Sequence, residues 1–274
     1  MTAPQFGSGI GFLGGGHMAR ALLGALRRQG VPGGSLHVCE AVAGRAASLQ
    51  QDFGVVLHEQ AARCIEASET LVLAVKPQDL ASALAPLTET LASRRPLVIS
   101  IAAGVPTDRL REWCAGAPVI RAMPNRPAMV GVGAAGLYAG PEVPTELRRR
   151  AEALLGAAGE VVWIDDETLM DVVTAVSGSG PAYFFALAEA LGRAGEAAGL
   201  APAVARTLAR STLHGAGALA HAELGVDLAT LRDSVTSKGG TTAAALEVLR
   251  QGGLDALVQD AVEAAVQRGR ELGG

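Results

Sequence analysis

The chain has 274 residues, enough for one large domain or two modest ones, and its 49% hydrophobic content excludes wholesale disorder. Only 3% of the residues are aromatic, so a core must be built from Ala, Leu and Val. A net charge of −4 without a basic run argues against a general polyanion-binding surface, and so against a nucleic-acid partner, while leaving room for one small anion pocket.

Ser8–Leu13 reads as a short strand running into the glycine cluster Gly14-Gly15-Gly16, and Met18–Gln29 as a helix with a small and apolar face, stopped by Gly30. Leu36–Glu40 is a second strand, followed by a helix ending near Gly54 and a brief strand at Val55–Leu57. Thr70–Val75 is a fully apolar run of strand length, cut off by Pro77. Gln78–Ser93 reads as one helix, Leu97–Ile101 as a buried strand, and Val119–Met123 and Ala134–Tyr138 as two more. An Arg-rich helix at Thr145–Ala158 precedes a last strand, Glu160–Trp163. Continuous apolar strands separated by helices signal a parallel sheet covered on both faces. Residues 1–164 are therefore expected to form a doubly wound, Rossmann-type α/β domain.

After Asp165 the strand pattern stops. Helices are expected at Glu167–Val176, Ala182–Ala198, Pro202–Ala222, Asp227–Val235, Thr242–Gln251 and Leu254–Leu272, with Pro202 in a first turn and Asp227 as an N-cap. Residues 165–274 thus read as an all-helical second domain whose abundant Ala and Gly favour close helix packing and a large subunit interface.

Three cysteines, Cys39, Cys64 and Cys114, are an odd number without CxxC spacing and read as small buried hydrophobes of a reducing compartment. The five histidines show no metal-ligand spacing and no Ser/His/Asp set stands out, so neither a metal nor covalent catalysis is favoured. The first nineteen residues do not have the pattern of a secretory signal, and no apolar run approaches the ~18–20 residues that span a bilayer. The expectation is a soluble, cytoplasmic protein with no membrane partner. Only two of the 23 basic residues are lysines, Lys76 and Lys238, and both fall in the motifs that follow.

Gly14, Gly16 and Ala19 spell G-x-G-x-x-A at the first strand-to-helix turn. Gly14 permits the tight turn, Gly16 lets a pyrophosphate approach the backbone, and Ala19 lets helix and strand close up. Free N–H groups at the helix start then hold the anion, so the run reads as a dinucleotide site. Glu40, at the end of the second strand, is placed to hydrogen-bond an adenosine ribose and to disfavour a 2′-phosphate. Arg45, one turn on, offsets it and would accept NADPH; the balance leans to NADH with both open, and ordinary surface roles for the pair are the alternative.

Ser237-Lys238-Gly239-Gly240-Thr241-Thr242 precedes another helix. Two glycines before a helix N-terminus expose backbone N–H groups, a pocket for a carboxylate or phosphate, and Ser237, Thr241 and Thr242 add hydroxyls. A plain N-cap is the bland alternative. Ser177-Gly178-Ser179-Gly180-Pro181-Ala182-Tyr183 reads as a similar small-residue loop or as a tight turn between helices. Ala74-Val75-Lys76-Pro77-Gln78 and Ala122-Met123-Pro124-Asn125 lie past the carboxyl ends of predicted strands, the edge where doubly wound folds bind ligands.

Taken together, the runs GFLGGGHMA, AVKPQ, SIAAG, RAMPNRP, MDVVTAVSGSGPAYFF and LRDSVTSKGGTT, in this order, resemble the pyrroline-5-carboxylate reductase family. The resemblance implies reduction of L-1-pyrroline-5-carboxylate to L-proline by hydride from NAD(P)H, and a helical C-terminal domain that binds substrate and interlocks with a second subunit, in a homodimer or a ring of dimers. It matches Gly11, Phe12, Leu13, Gly14, Gly15 and Gly16 to the dinucleotide loop. Ala74, Val75, Lys76, Pro77, Ile101, Ala102 and Ala103 match the walls of the cofactor cleft, and Asn125 falls near the expected nicotinamide. Glu167 aligns with a substrate-contact position. Ser237, Gly239, Gly240, Thr241 and Thr242 match the substrate loop, with Thr242 at the hydroxyl that touches the imine nitrogen.

The chain departs from the commoner family pattern at His17, where Asn is usual, at Arg126 in place of Thr, and at Lys238 in place of Pro. Ala41-Val42 also lacks the Arg-Ser of NADP-using relatives. Two rival readings are weaker. One is another two-domain imine or hydroxy-acid dehydrogenase with the same cofactor domain; hydroxy-acid enzymes of that design need a lysine on a helix of the second domain, whereas Lys238 sits in a glycine loop. A nicotinamide sensor without turnover has no use for the GGTT pocket.

Overall fold

The computed structural model describes residues 6–273; residues 1–5, which open the stretch read for a secretory signal, and Gly274 lie outside the described residues. The described residues cluster into two compact units, one running to Ser179 and resuming at Ala265, the other Gly180–Ala264.

The first unit is built on an eight-stranded sheet: β1 (Ile10–Leu13), β2 (Leu36–Cys39), β3 (Val56–Leu57), β4 (Thr70–Leu73), β5 (Leu97–Ser100), β6 (Val119–Pro124), β7 (Gly133–Ala139) and β8 (Gly159–Trp163). Their spatial order is β3-β2-β1-β4-β5-β6-β7-β8. β1 pairs in parallel with both β2 and β4, so that Gly11 stands opposite His37 on one side and Leu71 on the other. The chain winds outward from β1 in one direction and, from β4, in the other. That reversal opens a crevice outside the carboxyl ends of β1 and β4.

Helices α1 (His17–Arg28), α2 (Ala43–Phe53), α3 (Ala61–Glu66), α4 (Pro77–Leu84), α5 (Thr88–Arg94), α6 (Thr107–Trp113) and α7 (Thr145–Gly156) accompany the sheet. Successive strand residues point to opposite faces, so each strand feeds two apolar layers. Val72 and Ile99 join Leu22, Leu23 and Leu26 of α1 and Leu154 of α7. Leu71, Leu73 and Val98 join Leu80 and Leu84 of α4, Leu91 of α5 and Leu110 of α6. This is the expected doubly wound sheet, its central strands buried on both faces, while edge strand β8 leaves one face open. Cys64 and Cys114 are buried, Cys39 is half-buried, and all three are free thiols.

The sheet is not wholly parallel: β7 runs antiparallel to β6. The connection between them holds only a 3₁₀ turn at Arg126–Val130, and a parallel return needs a crossover of roughly 10–12 residues or more. Gln78–Ser93 is not one helix either. Pro86 has no N–H to bond in the ladder, and a 3₁₀ turn at Ala85–Leu87 separates α4 from α5. α3 and α6 have no counterpart in the sequence reading, being too short for the helical period to show.

The segment read as a helix over Glu167–Val176 is a 3₁₀ turn (Glu167–Leu169), a short α8 (Met170–Val173) and a π turn (Thr174–Gly178). The small-residue run from Ser177 is therefore no loop; it passes from the π turn into α9 (Gly180–Ala197).

The second unit holds α9, α10 (Pro202–Ala222), α11 (Leu228–Ser234), α12 (Thr241–Gln251) and the start of α13 (Leu254–Gly273). Pro202 opens α10 as expected, and the Asp227 side chain caps α11 by accepting from the Thr230 N–H at 2.9 Å. Gly192 on α9 faces buried Ala205 and Ala209 of α10, small residues that let the two helices approach closely. Large apolar side chains nonetheless stay exposed here: Phe184 by 61%, Phe185 by 62% and Leu224 by 77%, with Leu228 and Val248 similar. No described helix is long and apolar enough to cross a membrane.

Candidate active site

β1 delivers the glycine run to the crevice. Gly11 and Phe12 lie within the strand, Phe12 wholly in the core, and the chain first faces the sheet edge at Gly14. There φ is +94°, and a Cβ would stand 2.7 Å from the Ala74 carbonyl oxygen, so only glycine fits between β1 and the end of β4. The Gly14 N–H donates to the Cys39 carbonyl at 2.9 Å, and the Ala74 N–H donates to the Leu13 carbonyl at 2.8 Å, which ties the three strand ends together. Gly16 is the N-cap of α1; no side chain caps it, and the space above its Cα is clear. An uncapped, unobstructed helix N-terminus at the switch point is a cradle for a pyrophosphate, so the residues present fit a dinucleotide.

Glu40 follows β2 directly. Its carboxylate is turned inward, accepting from the Gly15 N–H at 2.6 Å and from the Val42 N–H at 2.8 Å, with the Arg45 guanidinium 3.4 Å away. Glu40 is only 6% exposed at its side chain, while Arg45 is half-exposed. The two residues read as the ribose-end pair are thus joined to each other and to the glycine turn.

Past β4, Ala74, Val75 and Pro77 are partly exposed and Lys76 is exposed as the N-cap of α4. Past β5, Ile101 and Ala103 are partly exposed and Ala102 is buried. The Ile101 N–H donates to the Leu73 carbonyl at 3.2 Å, continuing the ladder to the edge. All these residues line up along one end of the sheet, as the doubly wound topology requires.

Asn125 ends the same edge beyond β6. It is 8% exposed; its Nδ2 donates to the Ser177 carbonyl and its Oδ1 accepts from the Ala134 N–H, each at 2.9 Å.

Glu167 is held within the sheet unit. Its Oε1 accepts from the Thr107 N–H at 2.7 Å and its Oε2 from the Thr107 hydroxyl at 2.5 Å. Arg121, buried on β6, lies 3.2 Å from Glu167 and 3.5 Å from Asp171. The network fastens the loop after β5 to the entrance of α8. Tyr138 stands opposite Arg121 across β6 and β7, and its phenol is pushed above the ordinary value by burial first, then by Glu167 and Glu142. Arg121, Thr107 and Asp171 escaped the sequence reading. The available signal was an arginine inside the apolar strand VIRAMP, which demands a buried anion.

In the second unit, Ser237, Lys238, Gly239, Thr241 and Thr242 are exposed, and Gly240 is the N-cap of α12. The Gly240 N–H donates to the Ser237 carbonyl at 3.0 Å, closing the turn. No side chain caps α12, in contrast to α11 with its Asp227. The first N–H groups of α12 and the two threonine hydroxyls therefore face solvent together, a donor set suited to a carboxylate.

Known proteins fit this arrangement. Residues 167–272 match the family model for pyrroline-5-carboxylate reductase dimerisation, and residues 9–104 match that for NADP oxidoreductase, coenzyme F420-dependent. The chain is 42% identical to the pyrroline-5-carboxylate reductase of Pseudomonas aeruginosa over 99% of its own length and 98% of that protein. Among solved structures, pyrroline-5-carboxylate reductase from Coxiella burnetii superposes with a TM-score of 0.92 at 36% identity, covering 97% of this chain and 99% of that one. The Plasmodium falciparum enzyme with NADP bound gives 0.83 at 26% identity, covering 98% and 99%. The chain belongs to the pyrroline-5-carboxylate reductase family, NAD(P)H-dependent oxidoreductases that carry out the last step of proline biosynthesis.

Proposed function

We propose that the two open helix N-termini divide the work of this reduction: that of α1 holds the cofactor pyrophosphate and that of α12 holds the substrate carboxylate. The observation that carries this reading is the start of α12, where no side chain caps the N–H groups that follow Gly240, beside Thr241 and Thr242. L-1-pyrroline-5-carboxylate has one carboxylate and one cyclic C=N bond, so it needs an anion pocket and a hydroxyl at nitrogen, and the loop Ser237–Thr242 supplies both.

NAD(P)H, when bound, supplies the hydride; the protein's share is placement of the two partners and exclusion of alternatives. The crevice from Gly14 to Gly16, with Ala74–Pro77 and Ile101–Ala103 along its wall, orients the cofactor. Thr242 hydrogen-bonds the imine nitrogen and orients it. An alcohol is a poor general acid, so the proton reaches the nitrogen from solvent or is already there when the substrate binds. Glu40 at the ribose end tilts the choice toward NADH, and Arg45 keeps NADPH usable. The exposed apolar faces of α9 to α12 are covered by a second copy in a homodimer, and dimers can associate further into a ring. Free cysteines suit the reducing cytoplasm.

The test is nicotinamide oxidation with pyrroline-5-carboxylate, run in parallel with NADH and NADPH. Turnover to proline is the expected result. Cofactor binding without turnover on either would sink the reading.

A further inference from the structure

Ser177 lies four residues before Pro181. A carbonyl in an α-helix accepts from the N–H four residues on, and Pro181 has none, so the Ser177 carbonyl cannot make that bond. The chain meets the problem with the π turn over Thr174–Gly178, in which the Ser179 N–H reaches back five residues to the Thr174 carbonyl at 2.8 Å. The Ser177 carbonyl is taken by the Nδ2 of Asn125 at 2.9 Å. The other end of the same carboxamide accepts from the Ala134 N–H, and flipping it would set acceptor against acceptor and donor against donor. Next to it the Met123 side chain packs on Gly178 so closely that a Cβ there would stand 2.7 Å from Cε.

Met123 and Asn125 are thus in contact with Ser177 and Gly178, far apart in sequence, at the carboxyl edge of β6. π turns inside helices recur at functional sites, because the extra residue re-aims the backbone. We infer that Asn125 is a positioning residue for hydride transfer, fixing the π turn through Ser177 and the start of β7 through Ala134. This edge belongs to the half of a doubly wound sheet that receives the second nucleotide of a dinucleotide, here the nicotinamide. Reaction rates there respond to displacements of about an ångström, by around a hundredfold, while binding spread over the whole cofactor hardly changes. The inference rests on the reductase reading, and wild-type turnover in the same series tests that reading by itself.

Asn125→Asp is the probe. It keeps the size and the acceptor toward Ala134, but sets a carboxylate against the Ser177 carbonyl. Burial raises such a carboxyl, so acid restores an O–H donor. The expected result is a kcat about 10- to 100-fold below wild type near pH 8, with cofactor Kd from nicotinamide fluorescence within about twofold. Measured against wild type at each pH, the deficit should shrink by about fivefold or more on going to roughly pH 5.5. An undiminished kcat, a deficit indifferent to pH, or a loss residing in cofactor Kd overturns the inference. Should the Asp variant fail to fold, Asn125→Ala is compared with Asn125→Ala/Pro181→Ala, which gives the Ser177 carbonyl a backbone N–H. Recovery of Tm without recovery of kcat supports positioning. Recovery of both, or of neither, overturns it.

Discussion

The Glu40 carboxylate accepts a hydrogen bond from the Gly15 N–H at 2.6 Å, so the acid after β2 braces the glycine turn and does not simply await a ribose. Replacing it by Gln keeps an acceptor for Gly15 while removing the charge that a 2′-phosphate would meet. Glu40→Gln should shift the ratio of kcat/KM for NADPH over NADH upward by about tenfold, ~1.4 kcal/mol. Steady-state kinetics with both cofactors decides it; an unchanged ratio would remove Glu40 as the selector.

Thr242 stands exposed in the first turn of α12. If its hydroxyl orients the imine, Thr242→Ala should lower kcat/KM by about 5- to 150-fold, or 1–3 kcal/mol, and Thr242→Ser should restore most of it. Full activity in the Ala variant would exclude the role.

Arg121 is 8% exposed at its side chain and answers two carboxylates, Glu167 and Asp171. Arg121→Met leaves both acids facing each other without their cation. A loss of about 3 kcal/mol in unfolding free energy is expected by denaturant titration, the usual scale for breaking a buried pair from one side. Glu167→Gln, which retains an acceptor for Thr107, should cost only about 1 kcal/mol. If the two variants are equally stable, the network is not structural.

His37 and His58 lie with ring nitrogens 3.0 Å apart, and His37 titrates below its ordinary 6.5, through burial first and the His58 ring second. The folded protein therefore prefers neutral His37, and below pH 6.5 the unfolded chain binds more protons. The stability this residue contributes is fully present above that value and is lost as the pH falls from it through the lowered folded value. Urea unfolding at a series of pH values should show this acid-side loss in the wild type and a flatter profile in His37→Gln.

Burial pushes the thiols of Cys64 and Cys114 up to about 12. Both should resist alkylation near pH 8 in the native protein and react only on unfolding, whereas half-buried Cys39 should label slowly. Mass spectrometry of the labelled peptides reads this directly, and fast native labelling of Cys64 would contradict its burial.

Much of this fold was legible because the strands carry their period openly. Val72 and Leu73 are apolar on both sides, which only a sheet covered twice can use. Short elements were not legible, since a helix such as Ala61–Glu66 is too brief for amphipathic spacing to register. The antiparallel turn into β7 hid because apolar runs do not state direction; the brevity of the link after Asn125 does. In the site, the glycine run announced the crevice, yet nothing local to Glu167 points to Thr107 or Arg121, which reach it across 60 and 46 positions. Pro181 sits directly before the helix expected from Ala182, a place that suits it. Its second effect, leaving the Ser177 carbonyl to seek a donor elsewhere, needs the neighbour as well as the helix.

The apolar side chains that α9 to α12 leave in water bear on how the protein behaves at different concentrations. Where a second copy covers Phe184, Phe185 and Leu224, as proposed above, this unit folds and associates in one equilibrium. Its melting temperature is then no fixed property of the chain but rises with the logarithm of protein concentration. Dilution alone acts on it as a denaturant.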